Sequence, residues 1–380
     1  MDALIVATPP RVLLTTGYWP VMASSLALVT RDGGMHVLLP EDDLGIAGKT
    51  SAAELIPYSA VTLKKLEAPL DAIQEPLTRL LRSLKLSNAV LGIEQRALTC
   101  PAPYLSSYHV NGTLQPLLAE IVPYATLVEA DDLLEALAAV KTPVEIERIR
   151  HACQLVQSAF DQAAQLVRPG VREDFLAGEL QSIYMRTMND GGERGLGFFF
   201  VMSAANSVTA SAAYARTRSR CIEEGDFVMV HANTTLDGYW NDVTRTYVAG
   251  KPSQKQNELF AAVAAARTAA LAAIRPGIPA RAVDHAARQV LIDHGFGQYF
   301  VHGTGHGVGF ASSHATAIPS VHPMSADVLA EGMTFNIEPA VYFDDVNGLR
   351  HCDVVACTAT GAEVLTDFRN LPDPAVTRRL

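Results

Sequence analysis

The sequence predicts a mixed α/β (α+β) chain of two domains, residues 1–132 and 133–380, with the second built from two similar halves. Three observations carry this expectation. Over about the first 130 residues, short apolar runs ("DALIVAT", "LALVT", "MHVLL", "AVLGIE") alternate with helical stretches such as "PLDAIQEPLTRLLRSL", the pattern of strands interleaved with helices. A sharply marked helix then opens a new unit at "KTPVEIERIRHACQLVQSAF". Finally, one ending, a helix stopped by Arg-Pro-Gly and followed by a second helix, occurs at Arg168 and again at Arg275. Two copies are too few for a solenoid, so they predict two α/β halves closing around a shared pocket.

The new unit's first helix is explained residue by residue. Thr142 is a natural N-cap, Pro143 suits the first helical position because it has no N–H to leave unsatisfied, and Glu145 completes a capping box. Ile146, Ile149, Cys153, Val156, Phe160, Ala163 and Val167 share one helical face. Pro169-Gly170 then ends the helix. On that face Cys153 reads as a small core residue.

Further on, "DFVMVHA" and "YWNDVTRTYVA" are β-rich and flank Asp237-Gly238. That dipeptide tolerates the positive φ of a type I′ hairpin turn. The turn fixes a register in which His231 pairs with Thr244 and Asn233 with Asp242, so His231 and Asp242 share one face of the ribbon at about 7–8 Å. Taken alone, such a pair would be ordinary hydrogen-bonded polar residues. Other segments raise it to a candidate site. "VHGTGHGVGFASSH" places His302, His306 and His314 among glycines that let backbone approach a ligand. In "EGMTFNIEPAVYF", Glu338 follows an apolar strand and precedes Pro339, and in "GLRHCDVVACT" Arg350 and Cys352 alternate onto one side of a strand, with His351 on the other. An Asp, a Glu, a Cys and several His on neighbouring strands make a metal constellation.

Composition narrows the function classes. At 49% hydrophobic and 18% charged the chain is an ordinary globular one, and its net charge of −10 disfavours nucleic acid and anionic membranes as partners. Five cysteines (Cys100, Cys153, Cys221, Cys352, Cys357) without a CxxC pair argue against a disulfide framework, and the opening "MDALIVATPPR" lacks the pattern of a secretion signal, so a cytoplasmic location is expected. The uncharged stretches 12–30 and 195–215 carry Gly, Pro, Ser, Asn and Thr and read as core strands and loops. Arg216, Arg218 and Arg220 alternate as on a strand face, where pairing with Glu223 and Glu224 explains them.

The succession "EEGDFVMV", "DGYWNDVTRT", "HGTGHGVG", "EGMTFNIEP" and "GLRHCDVV" resembles the pita-bread superfamily of methionine aminopeptidases, Xaa-Pro aminopeptidases, prolidases and creatinase. The resemblance implies a creatinase/prolidase-type N-terminal domain over 1–132, a duplicated pita-bread catalytic domain over 133–380, a homodimer, and a small-molecule or short peptide-like substrate as the partner. Peptidases of that superfamily hold two divalent ions with Asp, Asp, His, Glu and Glu. Position by position, three of these fall on Asp242, His306 and Glu338, whereas the first Asp falls on His231 and the last Glu on Cys352. The resemblance also implies His302 and His314 as pocket histidines, Tyr214 as a substrate contact, and Arg245 and Arg350 as substrate-side arginines.

The two substitutions reduce the negative charge available to bind cations, and imidazole, unlike carboxylate, cannot bridge two ions. The expectation is therefore one divalent metal or none, with Zn or Fe favoured over Mn because His and Cys are the softer donors. Three functions remain open on these residues. One is a C–N bond hydrolase in which His231, Asp242, His306, Glu338 and Cys352 hold a metal and Glu338, His302 and His314 move protons. The second is a metal-free, creatinase-like hydrolase or lyase with His231 and either Glu338 or Asp242 as the acid–base pair, Arg245 and Arg350 clamping a substrate carboxylate, and Cys352 able to act as a nucleophile. The third is a binding member of the fold without catalysis.

Overall fold

The computed structural model describes residues 1–20, 25–50, 53–96, 114–188, 193–211, 217–310, 317–343 and 347–368. The chain divides into two compact units, Met1–Ala138 and Ala139–Leu380.

The first unit is a mixed sheet of six strands, in which β1 (Ala3–Val6), β2 (Leu26–Thr30), β3 (Met35–Pro40), β4 (Glu54–Tyr58), β7 (Val90–Ile93) and β8 (Thr126–Glu129) lie in the order β4-β3-β2-β1-β7-β8. A small ribbon of β5 (Val61–Thr62) and β6 (Lys65–Leu66) is separate. Strands β1 and β2 pair antiparallel, while β7 runs parallel to both β1 and β8. The apolar runs are continuous because both faces of the sheet are covered. Ile5, Leu28, Leu38 and Leu91 pack with Ile73, Leu77 and Leu81 of helix α3 (Pro69–Ser83) and with Leu117 and Leu118 of α4 (Leu114–Ile121). Their neighbours Leu4, Val6, Ala27, Val37 and Leu39 face the other way, toward Val12 of α1 (Pro9–Thr16), Ala47 of α2 (Leu44–Thr50) and Leu134 of α5 (Asp131–Ala139).

The second unit repeats one arrangement. Helices α6 (Pro143–Leu166) and α7 (Glu173–Thr187) precede the antiparallel sheet β11-β10-β9, formed by β9 (Gly195–Ser203), β10 (Phe227–Leu236) and β11 (Tyr239–Val248). A short α8 (Ala205–Val208) follows β9. Helices α9 (Gln254–Ala273) and α10 (Ala280–Asp293) precede β12 (Thr334–Ile337), β13 (Ala340–Phe343), β14 (Asn347–Arg350), β15 (Asp353–Thr358) and β16 (Gly361–Val364), paired as β12-β15-β16 and β13-β14. Leu259, Ala262, Val263, Val283, Ala287 and Leu291 of the second helix pair close over Met229, Phe335, Ile337 and Val355. No helix among the described residues is long and apolar enough to cross a membrane.

Helix α6 starts as its sequence predicts. The Thr142 hydroxyl accepts from the Glu145 N–H and the Glu145 carboxylate from the Thr142 N–H, with Pro143 in the first turn. Just before it, Lys141 is buried with its ammonium donating to the Ala139 carbonyl, and burial lowers its pKa to about 7. The unfolded chain therefore binds the Lys141 proton more tightly than the folded one between pH 7 and the ordinary lysine value. Stability should rise with pH across that window, by up to about 1.4 kcal/mol per unit from this group. Urea titrations of wild type and Lys141→Met from pH 6 to 10 check this: the variant should lose that slope and be the more stable protein at pH 6.

Candidate active site

The hairpin sets the geometry. Asp237 and Gly238 both have positive φ, 48° and 86°, and β10 pairs with β11 so that His231 opposes Thr244 and Asn233 opposes Asp242. This is the register the Asp-Gly turn predicts. His231, Asn233, Asp242 and Thr244 consequently lie on one face. The backbone of Cys352 bridges to Thr244, with Cys352 N–H donating to the Thr244 carbonyl at 3.0 Å. Its thiol thereby reaches Asp242, with Sγ 3.2 Å from the Asp242 carbonyl and 3.6 Å from Oδ1.

Glu338 and His306 arrive from β12 and the glycine-rich loop. The His306 N–H donates to Asn336 Oδ1 at 2.7 Å, the Asn336 N–H to the His306 carbonyl at 3.0 Å, and the Glu338 N–H to the Thr304 carbonyl at 2.7 Å. Loop and strand lie so close that a Cβ on Gly305 would sit 1.9 Å from the Asn336 carbonyl oxygen. Gly305→Ala must therefore move the backbone that carries His306. It should lower kcat/KM about 100-fold in a folded protein, as checked by steady-state kinetics beside a circular dichroism spectrum.

Ligand atoms of Asp242, Glu338 and Cys352 all lie within 4.8 Å of one another. His306 Nε2 is 3.8 Å from Asp242 Oδ2 and 3.8 Å from Glu338 Oε1. All four residues are buried. Burial raises the pKa of the Glu338 carboxyl against the pull of Arg350, and burial likewise raises the Cys352 thiol, reinforced by Asp242 and Glu338. Such acids cling to protons when no cation is there to replace them.

Arg350 donates from Nε to Thr244 Oγ1 and from Nη2 to His231 Nδ1, both at 3.1 Å, and its Nη1 is 3.8 Å from Glu338 Oε2. The structure places His231, expected as a metal ligand, against Arg350 instead. Nδ1 accepts from Arg350 with Thr244 Oγ1 at 2.9 Å, and Nε2 faces Asn233 Oδ1 at 3.0 Å. Both nitrogens of His231 are thus engaged by protein groups, as are those of His306, where Nδ1 faces the Gly307 carbonyl at 3.2 Å and Nε2 accepts from Asn336 Nδ2 at 3.0 Å; His231 differs in that its lone pair faces a cation. Burial, outweighing Asp242, lowers the His231 pKa to about 4, which keeps the ring neutral and makes it a poor base.

A second correction concerns Arg245. Strand alternation turns it to the opposite face from Asp242 and Thr244. There it donates to Asp353 Oδ1 and the Cys352 carbonyl at 2.6 Å each and lies over the Phe368 ring. It is a buried structural residue with no side chain free for substrate.

His302 is held by Tyr342, with Nε2 3.0 Å from the hydroxyl and Nδ1 2.7 Å from the Gly303 carbonyl, and burial lowers its pKa to about 4. His314, Tyr214 and Arg216 lie outside the described residues. Arg220 pairs with Asp226 at 2.5 Å and, more loosely, with Glu223. His351 faces Asp353, and Cys153 is a core residue of α6. Asn336 and Tyr342 are neighbours of the site that sequence reasoning missed. Asn336 was accessible to it, as a polar residue two before Glu338 on the same strand face.

Residues 147–359 match metallopeptidase family M24. The chain belongs to this family. It is 34% identical over 236 residues to the Xaa-Pro dipeptidase of Pyrococcus furiosus, a match covering 62% of this chain and 65% of that protein. It is 27% identical over 369 residues to the Xaa-Pro dipeptidase of Pyrococcus horikoshii, covering 96% and 93% of the two chains. The crystal structure of the Pyrococcus horikoshii prolidase superimposes with a TM-score of 0.77 at 25% identity, over 97% of this chain and 94% of that one. The fold is the pita-bread fold of the prolidases, and this M24 member is a hydrolase.

An M24 metallopeptidase implies a divalent ion, and the donors present can be tested for it. Two carboxylates and one thiol group their ligand atoms within 4.8 Å, and His306 Nε2 lies 3.8 Å from both carboxylates, where it accepts from Asn336 Nδ2 at 3.0 Å; exchanging that hydrogen bond for an ion would complete a set that suits one tetrahedral ion. The donor set fits.

Proposed function

We propose that this M24 member hydrolyses the amide C–N bond of a short peptide-like substrate of the Xaa-Pro type, using one divalent ion held by Asp242, His306, Glu338 and Cys352. The observation that carries this reading is the buried grouping of Asp242, Glu338 and Cys352 within 4.8 Å, with His306 Nε2 3.8 Å from both carboxylates. The Xaa-Pro dipeptidase relatives support the substrate class. The sulfur and nitrogen donors favour Zn or Fe over Mn. Such an ion supplies Lewis-acid polarisation of the scissile carbonyl and the attacking water.

The chain's own residues do the rest. Glu338 directs Oε1 toward His306 and Oε2 toward Arg350, so one carboxylate addresses the ion and the guanidinium together. Neutral His302 donates from Nδ1 to Gly303 and accepts at Nε2 from the Tyr342 hydroxyl, which holds a movable proton at Tyr342 Oη for the departing amine. Burial, against the pull of Arg350, raises the Tyr342 pKa to about 12, so that proton is retained at rest. His314, Tyr214 and Arg350 complete the reading as substrate-side groups. An N-terminal domain through residue 132 and a catalytic domain from 133 belong to it as well. So does a cytoplasmic homodimer, a state that light scattering after gel filtration measures.

The test is hydrolysis of a panel of Xaa-Pro dipeptides by protein purified without chelators, then after dialysis against a chelator, then after addition of Zn²⁺ or Fe²⁺. Activity lost on chelation and restored by the ion supports the reading. Undiminished turnover by metal-stripped protein contradicts it and favours the metal-free, creatinase-like alternative.

A further inference from the structure

We infer that Arg350, held in place by His231, is the fixed second cation of this site, so that the pocket accepts one divalent ion and excludes a second. The inference rests on the single-ion reading proposed above and adds its cause, a guanidinium that occupies the place of the second positive charge.

The orientation of His231 is settled by a chain of hydrogen bonds. Asn233 Nδ2 donates to the Asn241 carbonyl at 3.3 Å, which turns Asn233 Oδ1 toward His231. That oxygen takes the Nε2 proton, and the Nδ1 lone pair is left for the guanidinium, which can only donate. Thr244 Oγ1 accepts from Arg350 Nε on the same side. Arg350 is therefore gripped by two neutral acceptors, and its charge stays directed at the acidic cluster, with Glu338 Oε2 at 3.8 Å. A carboxylate at position 231 would instead neutralise the guanidinium locally.

Charge balance gives the same answer. Asp242, Glu338 and Cys352 as thiolate bring three negative charges into a buried pocket. One divalent ion and Arg350 cancel them. A second divalent ion would leave two positive charges uncompensated in a low-dielectric site, a heavy penalty.

The test is a Co²⁺ titration of the metal-stripped, full-length protein, followed by calorimetry and by absorption. Wild type should saturate at one equivalent and show a thiolate-to-cobalt charge-transfer band. The His231→Asp/Cys352→Glu double variant, which adds a carboxylate beside the guanidinium and replaces the thiol by a second, should take up two equivalents. Two equivalents in wild type, or one in a natively folded double variant, overturns the inference while leaving the metal-dependent reading intact. No binding in wild type overturns that reading instead. Arg350→Gln in the otherwise native chain keeps the proposal testable if the double variant fails to fold. Removing a positive charge this close to the ion should tighten the first Co²⁺ by about 10-fold or more. Unchanged or weaker affinity in a folded Arg350→Gln protein shows that the guanidinium does not act as a companion cation.

Discussion

Replacing Asp242 by asparagine is expected to abolish hydrolysis, lowering kcat/KM by at least about 1,000-fold, or about 4 kcal/mol of transition-state stabilisation. The size of the effect follows from position. Asp242 is buried, and its carboxylate faces the Cys352 thiol at 3.6 Å, His306 Nε2 at 3.8 Å and His231 Nδ1 at 3.7 Å. No other carboxylate on the hairpin can replace it, because strand alternation allows only every second residue to face the site. Asparagine keeps the shape and removes the charge, so the fold should survive while the ion is lost. Steady-state kinetics and metal analysis of the same preparation check both halves. A variant that keeps the ion and most of its activity would remove Asp242 from the site's chemistry.

The largest stability effect is expected away from the substrate, at Asp353. This fully buried carboxylate accepts from Arg245 and from Thr366 Oγ1 at 2.6 and 2.7 Å, is paired with Arg267, and lies 3.2 Å from His351 Nε2. Burial alone would raise its pKa, but Arg245, His351 and Arg267 outweigh it and hold the carboxyl well below the usual carboxylate range. Asp353→Asn leaves Arg245 buried without its counter-charge, a defect that typically costs about 3–5 kcal/mol. Arg267 is partly exposed and can return to water, so Arg245 carries most of that cost. Urea denaturation measures it, and a loss below about 1 kcal/mol would mean that the cluster is relaxed or hydrated.

Much of this architecture is written locally. The capping box at Thr142 needs only four residues, and the Asp-Gly turn fixes the register of a hairpin of two ten-residue strands, because a slip would turn Asp242 out of the pocket. The repeated Arg-Pro-Gly stops mark the two halves for the same reason. The resemblance aligned Asp242, His306, Glu338 and Cys352, and their meeting in space is a property of the tertiary structure.

What eluded the sequence is mostly long-range. That His231 gives its lone pair to Arg350 depends on a contact between residues 119 positions apart, and the tautomer depends in turn on Asn233. The partnership of Asp353 with Arg245 and Arg267 spans two strands and a helix in the same way. Arg245 is different. The predicted register already placed it on the face opposite Asp242, so its role as a substrate contact conflicted with a pattern available from the start.

The central claim is that Asp242, His306, Glu338 and Cys352 together hold the catalytic ion, with His231 outside the ligand set. Anomalous diffraction at the zinc edge from crystals grown with Zn²⁺ tests it most directly. The account predicts a single peak bonded by those four side chains, with His231 still against Arg350. A second peak in the pocket, a peak ligated by His231, or no ion at this point under saturating Zn²⁺ would contradict it.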